Sequence, residues 1–309
     1  MAVVETAPGT RRRRREAVAE GSFVSRHDMG RARTRVTVRV VQVLVFAGVL
    51  VAGAGPLLWL LFASLNSTQD VLRDPLGVWL HADQWGNYLQ AWSQVDVSRY
   101  LGNTVVVAVG AWIANLAVSV LGGYVIAVLR PKWGNLLSGA ILATLFLPSV
   151  VSLVPLYLTV IDLPPFGISL QNTYWAVWLP AAANAFGVLV VSQFFRALPR
   201  DLMEAAQLDG AGTLRVLWYV VLPLSKPILG VVSLLAIVAA WKDYLWPSLV
   251  LTDTSLQPIS VALPIVQKTS ELSVFLAALF LATIVPVVLF LIFQRQFLAS
   301  VSLSSGMKD

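Results

Sequence analysis

Five stretches of this chain run for 23 residues or more without a charged side chain, and that spacing restricts the folds open to it. Arg39 and Asp70 enclose 30 uncharged residues, Arg99 and Arg130 another 30, and Lys132 and Asp162 enclose 29. Asp162 and Arg196 enclose 33, and Glu271 and Arg295 enclose 23. A helix needs about 20 apolar residues to cross the hydrocarbon core of a bilayer. Each stretch is therefore read as a span, near 40–64, 103–129, 136–160, 174–195 and 274–294. A sixth lies near 227–250. Only 15 uncharged residues separate Lys226 from Lys242, yet apolar sequence resumes after Asp243 and continues to Val250, so this span carries a charged pair inside it. Composition agrees: 57% of residues are hydrophobic and 12% charged, against about 25% charged in a soluble domain. The expected fold is an all-α polytopic membrane protein with six transmembrane helices.

Lysine and arginine set the expected orientation. The first 39 residues hold ten, residues 130–135 two, residues 196–226 four, and the tail from Arg295 two, which is 18 of 22 on one side. Only Arg73, Arg99, Lys242 and Lys268 fall on the other. Both termini are thus expected in the cytoplasm. The domains read as a basic, partly disordered cytoplasmic extension (1–39), a six-span domain (40–294) and a cytoplasmic tail (295–309). The run Arg11–Arg15 reads as part of that extension, holding the N-terminus inside and touching anionic lipid, rather than as a nucleic-acid patch. The apolar run after Arg39 is too long and starts too late for a cleavable signal peptide.

Several chemistries are excluded. There is no cysteine, so no disulfide and no thiolate nucleophile. Two histidines, His27 and His81, do not make a metal centre. Gly-Lys occurs nowhere, so there is no P-loop for ATP. No paired acid–base set lies in the spans, so no catalytic residue is assigned and the chain is not read as an enzyme. Pro148, Pro155, Pro180 and Pro286 sit within spans, where membrane helices tolerate them.

The loop at 196–226 carries the informative sequence. Pro199 suits the first turn of a helix, Asp201 and Glu204 lie near its positive end, and Gly210 can stop it with φ > 0. Leu202, Ala205, Ala206 and Leu208 fall on and around one face. A short surface helix, a glycine-rich elbow and a second helix ending near Pro223 result. Such a helix fits a groove on a partner, or equally lies on the membrane as an ordinary amphipathic helix.

The pattern resembles the EAA loop of permease subunits of binding-protein-dependent ABC importers: Glu-Ala-Ala, three residues, Gly, nine residues, Ile, any residue, Leu-Pro. Here Glu204-Ala205-Ala206 precedes Gly210, and Val220-Val221-Leu222-Pro223 follows, with Val220 replacing isoleucine. The resemblance covers most of the chain beyond residue 40. It narrows to the carbohydrate-uptake class, maltose permease G-type, through Pro155-Leu156-Tyr157, Phe194 to Pro199, Asp209-Gly210-Ala211, Trp241 to Pro247 and Ser305 to Asp309. At Lys242 that class usually has asparagine.

The resemblance implies a type I importer of the bacterial inner membrane. Its partners would be a second homologous permease, two cytoplasmic ATPase subunits and an extracytoplasmic substrate-binding protein, with no nucleic acid. ATP and Mg would sit on the ATPases, and this chain would bind no cofactor and no metal. The coupling residues implied are Glu204, Ala205, Ala206, Asp209, Gly210, Leu222 and Pro223, and the tail, with Gly306 and Lys308, would also touch the ATPases. The substrate implied is a di- or oligosaccharide. Permeases for glycerol phosphodiesters or polyamines remain alternatives, as does, from another class, an ion-coupled secondary transporter. The last would need a driving-ion site, and Asp243 is the one acidic residue within a span.

Asp243 therefore reads as a pathway or gate candidate, with Tyr244, Asn184 and Gln193 beside it. The alternative for the charged pair is snorkelling of Lys242 to the interface, with Trp241 and Trp246 in the aromatic belt. For Asn184, Gln193 and Tyr244 it is interhelical hydrogen bonding. In the outer loops, Trp85, Asn87, Tyr88 and Trp92 pack onto the membrane surface or meet a binding protein. Gln257 and Gln267 are contact candidates for that protein before the last span.

Overall fold

The structure is a computed structural model that describes residues 32–79 and 82–306. Arg11–Arg15, His27, His81 and Lys308 lie outside the described residues, as does most of the basic extension. The chain divides into two units at Trp59/Leu60. The described part of the first is helix, the opening of α1 (Ala32–Ser64). Val43, Leu44, Phe46 and Val49 are exposed on it, as expected where side chains meet lipid rather than water.

The second unit is helical, and its one extended pairing among the described residues is an isolated bridge between Leu163 and Ile168. Its elements are α2 (Thr68–Arg73), α3 (Gly86–Ser93), α4 (Val97–Tyr124), α5 (Gly134–Thr144), α6 (Ser149–Ile161), α7 (Trp175–Ala182) and α8 (Ala185–Arg196). There follow α9 (Arg200–Leu208), α10 (Thr213–Leu224), α11 (Lys226–Lys242), α12 (Leu245–Val250), α13 (Ile259–Thr269) and α14 (Leu272–Gly306). A π turn extends α4 through Val125–Leu129, and another lies inside α10 at Leu217–Val221.

Among the described residues three helices are long and apolar enough to cross a membrane: Val36–Ser64, Val97–Leu129 and Leu272–Ile292. Three more candidates are bent pairs, α5 with α6 (105°), α7 with α8 (44°) and α10 with α11 (83°), giving up to six spans if each pair is one. The straight span expected at 136–160 is thus broken. Helix α5 ends at Thr144, the N–H groups of Leu145, Phe146 and Leu147 close turns three residues back, and Pro148, which offers no N–H, caps α6 at ψ 129°. In the next pair α7 ends at Ala182, and Asn184 starts α8, its side chain accepting from Gly187 N–H at 3.0 Å.

The span expected at 227–250 is also interrupted, and the break falls at the charged pair. Helix α11 stops at Lys242, and Asp243 adopts φ −68°, ψ 119°. Its Oδ1 accepts from Trp246 N–H at 3.4 Å, which starts α12. Asp243 therefore opens a new helix instead of riding inside one. The aromatic-belt placement of Trp241 and Trp246 is corrected as well, since both are buried. Their indole N–H groups donate to Ala282 O at 3.1 Å and Ala176 O at 2.9 Å, pinning this region to α14 and α7.

Helix α4 is the spine. It packs against α3, α7, α8, α11 and α13, while α14 packs on α11, α13 and α3. Near its N-terminus, Asn103 donates to Ser255 O at 2.7 Å and Gln257 O at 3.0 Å and accepts from Tyr174 OH at 3.0 Å. Asn172 accepts from Asp253 N–H at 2.9 Å and Thr252 Oγ1 at 3.1 Å, tying the same two loops. The Ser255 amide and hydroxyl hold the Asp253 carboxyl below the usual carboxylate range. Tyr124 lies 21 residues on from Asn103, about 32 Å at 1.5 Å per residue.

Candidate functional site

At the Tyr124 end, α9 is joined to the spans by a small core. Met203, Phe195, Val191, Tyr124, Ala127, Val216 and Leu217 are buried together there. The inward face of α9 is Met203 and, three residues on, the partly buried Ala206. The sequence pattern places the apolar face at Leu202, Ala205, Ala206 and Leu208. In the structure Leu202 and Leu208 point outward, 47% and 89% exposed, because Met203 takes the seat. Tyr124 OH donates to Thr213 O at 2.9 Å, fixing the start of α10 to the end of α4.

The elbow has the hydrogen bonds of a Schellman motif. Gly210 N–H donates to Gln207 O at 3.0 Å and Ala211 N–H to Ala206 O at 2.9 Å. Gly210 sits at φ +82°, where a Cβ is strained whatever room surrounds it. Pro199 precedes α9 as its cap instead of entering the first turn. Glu204, Ala205, Asp209 and Gly210 are exposed, while Leu222 packs partly on the core and Pro223 is exposed. The result is a helix fixed on one side and open on the other.

A second feature is a cavity of about 640 Å³ lined by Asn115, Asn184, Lys242, Asp243, Tyr244 and Trp246 among small apolar residues. It gathers three of the four pathway candidates, Asp243, Tyr244 and Asn184. Gln193 is exposed on α8 and does not line it. Asn115 is the residue that sequence reasoning missed. It is buried on α4, donates to Ala181 O at 3.0 Å, and accepts from Ser119 Oγ at 3.4 Å. A polar amide inside an apolar span was the available signal.

Gln257 is buried and donates to Leu251 O at 3.1 Å. Its amide nitrogen holds a loop, and the side chain is turned inward. Gln267 is exposed on α13. Among the outer-loop residues, Asn87 and Tyr88 face inward, bonding to Ser64 O (2.9 Å) and Ser64 Oγ (2.6 Å). Trp85 and Trp92 remain exposed. Gly306 ends α14. Among the described residues no three His, Asp or Glu side chains gather as a metal site would require.

Residues 119–302 match the family described as binding-protein-dependent transport system inner membrane component. The chain is 32% identical over 258 residues to the diacetylchitobiose uptake system permease protein NgcG of Streptomyces coelicolor, covering 80% of this chain and 82% of that one. It is 32% identical to the sn-glycerol-3-phosphate transport system permease protein UgpE of Yersinia pestis, covering 76% and 85%. It is 30% identical to the sulfoquinovosyl glycerol transport system permease protein SmoH of Agrobacterium fabrum, covering 84% and 90%. A chain from the crystal structure of a bacterial ABC transporter involved in import of the acidic polysaccharide alginate superposes with a TM-score of 0.73, covering 89% of this chain and 99% of that one at 21% identity. The chain therefore belongs to the binding-protein-dependent transport system inner membrane component family. It is a transport component of the inner membrane and not an enzyme.

Proposed function

We propose that this chain forms half of the membrane pathway of an ATP-driven sugar importer and that α9 is the helix through which a cytoplasmic ATPase moves it. The observation that carries this reading is α9 itself, seated by Met203, closed by Gly210 at φ +82° and open along Glu204 and Ala205. A rigidly seated helix passes on a displacement; a loose one absorbs it. Glu204 would make a charge-assisted anchor to a basic group of the ATPase. Ala205, Ala206 and Asp209 would complete the docking face, Leu222 and Pro223 the second helix of the loop, and Gly306 and Lys308 a tail contact.

In this reading the six candidate spans all cross, both termini lie in the cytoplasm, and a second, homologous permease supplies the other half of the pathway. Two ATPases hold ATP and Mg, and an extracytoplasmic binding protein delivers substrate near Gln267. The cavity at Asn115, Asn184, Asp243 and Tyr244 belongs to the pathway, and its volume of about 640 Å³ lies within the roughly 300–1,000 Å³ usual for small-molecule sites. Relatives named for a disaccharide and a sugar glycoside favour a di- or oligosaccharide. A phosphate-bearing solute is the second reading, favoured by Lys242 at the cavity wall and by the glycerol-3-phosphate relative.

Affinity purification of the chain in mild detergent should bring down an ATPase and a second permease. Isolation of the chain alone, transporting without ATP, would sink the proposal. Within the assembled importer, Glu204→Ala and Gly210→Val should each lower uptake at least tenfold while leaving membrane levels intact. Normal uptake in both variants removes α9 from the coupling role.

A further inference from the structure

The spans containing α4 and α8 end side by side, and each is closed by an arginine. Arg130 is the first charge after the 30 uncharged residues of one, and Arg196 the first after the 33 of the other. Arg130 takes a left-handed conformation (φ +47°), and its Nε donates to Ala127 O at 2.7 Å, turning the guanidinium back across the helix end. These two arginines, with Arg200 at the start of α9, line a cavity of about 180 Å³ whose walls include Phe195, Met203 and Glu204. Three positive charges face one negative. None of the three arginines forms an ion pair among the described residues, where Arg99 with Asp96 is the pair present.

A cavity of that volume is below the roughly 300 Å³ at which small-molecule pockets begin, so it takes a group and not a sugar. Guanidinium forks match the oxygens of phosphate two at a time. The depth follows from the proposed six-span topology, on which this inference rests: where two apolar spans both stop, lipid headgroups begin. We propose that the cavity bounded by Arg130, Arg196 and Arg200 binds the phosphate of an anionic phospholipid headgroup and thereby clamps α9 to the ends of α4 and α8. Basic pockets between helices at the membrane surface take headgroups in this way. The docking helix then rests partly on a lipid, and its seating depends on the bilayer around it.

The test is native mass spectrometry of the full-length chain, with any subunits that accompany it, purified with phosphatidylglycerol or with phosphatidylcholine. The wild type should retain phosphatidylglycerol selectively, less so as salt rises. Arg196→Gln and the double variant Arg130→Gln/Arg200→Gln should lower retention about fivefold per arginine, equivalent to about 1 kcal/mol each. Arg215→Gln, outside the cavity, should not. Where a glutamine variant melts below the wild type, Arg196→Lys is read instead, since it keeps the charge but loses the fork; weaker retention supports the clamp and unchanged retention opposes it. Equal retention in all variants overturns the proposal. So does inorganic phosphate competing at equal concentration, which would make the site one for a free anion. Unchanged lipid with loss of a co-purifying ATPase would also overturn it, assigning the arginines to a protein contact.

Discussion

At position 187 there is no room for a side chain. A Cβ there would be driven into Ser119 Oγ and would sit 3.5 Å from Asn115 Oδ1, so α4 and α8 cross over bare backbone. Gly187→Ala should therefore lower thermal stability by about 1–3 kcal/mol, read as a depressed melting temperature in detergent; an unchanged melting curve would show that the crossing has slack. Nothing in the sequence marks Gly187, because a glycine inside an apolar run looks the same whether it packs or not. Gly210 is legible, since Glu-Ala-Ala before it and Leu-Pro after it fix the need for a turn. Met203 is not. It competes with Leu202 for the inward seat, and helical spacing alone does not say which of two adjacent apolar residues wins.

Asn103 binds more elements than any span boundary suggests. It holds the carbonyls of Ser255 and Gln257 and the hydroxyl of Tyr174, so one side chain joins α4 to two loops. Asn103→Ala removes their partner where water can partly replace it, at a cost of about 0.5–1.5 kcal/mol. Amide exchange through 251–258 should accelerate about tenfold for each 1.4 kcal/mol, while exchange around Tyr124 stays as it was; equal rates throughout would mean the loops hold without it. The positions of the apolar elements are readable from the charge-free runs, but the bends between them are not. Pro148 breaks its span by 105°, whereas Pro155 and Pro286 sit inside continuous helices. Proline permits a break, and packing decides whether one occurs. The break at Asp243 has a clearer cause: a carboxylate amid apolar sequence finds backbone N–H groups, and a helix start supplies them.

For the molecule as a whole, the absence of cysteine gives a direct way to fix orientation, because single cysteines can be placed in the unaltered background. With six crossings and cytoplasmic ends, Arg215→Cys should react with a membrane-impermeant maleimide only in inside-out vesicles, and Gln267→Cys only in intact cells. Labelling of both from one side would refute the topology. That orientation is what the distribution of lysine and arginine between the apolar runs predicts, and the labelling is its test. The cavity is half legible: its polar residues lie on α4, at the start of α8 and around the Asp243 break, and only folding brings Asn115 to the others. Among the described residues two wide turns, Val125–Leu129 and Leu217–Val221, flank the core that seats α9. A π turn is a local departure from the regular helical ladder. The end of α4 that packs against α9 is therefore where its hydrogen-bond ladder departs from the regular pattern, so a change in the seat of α9 should register first in the exchange of the Val125–Leu129 amides.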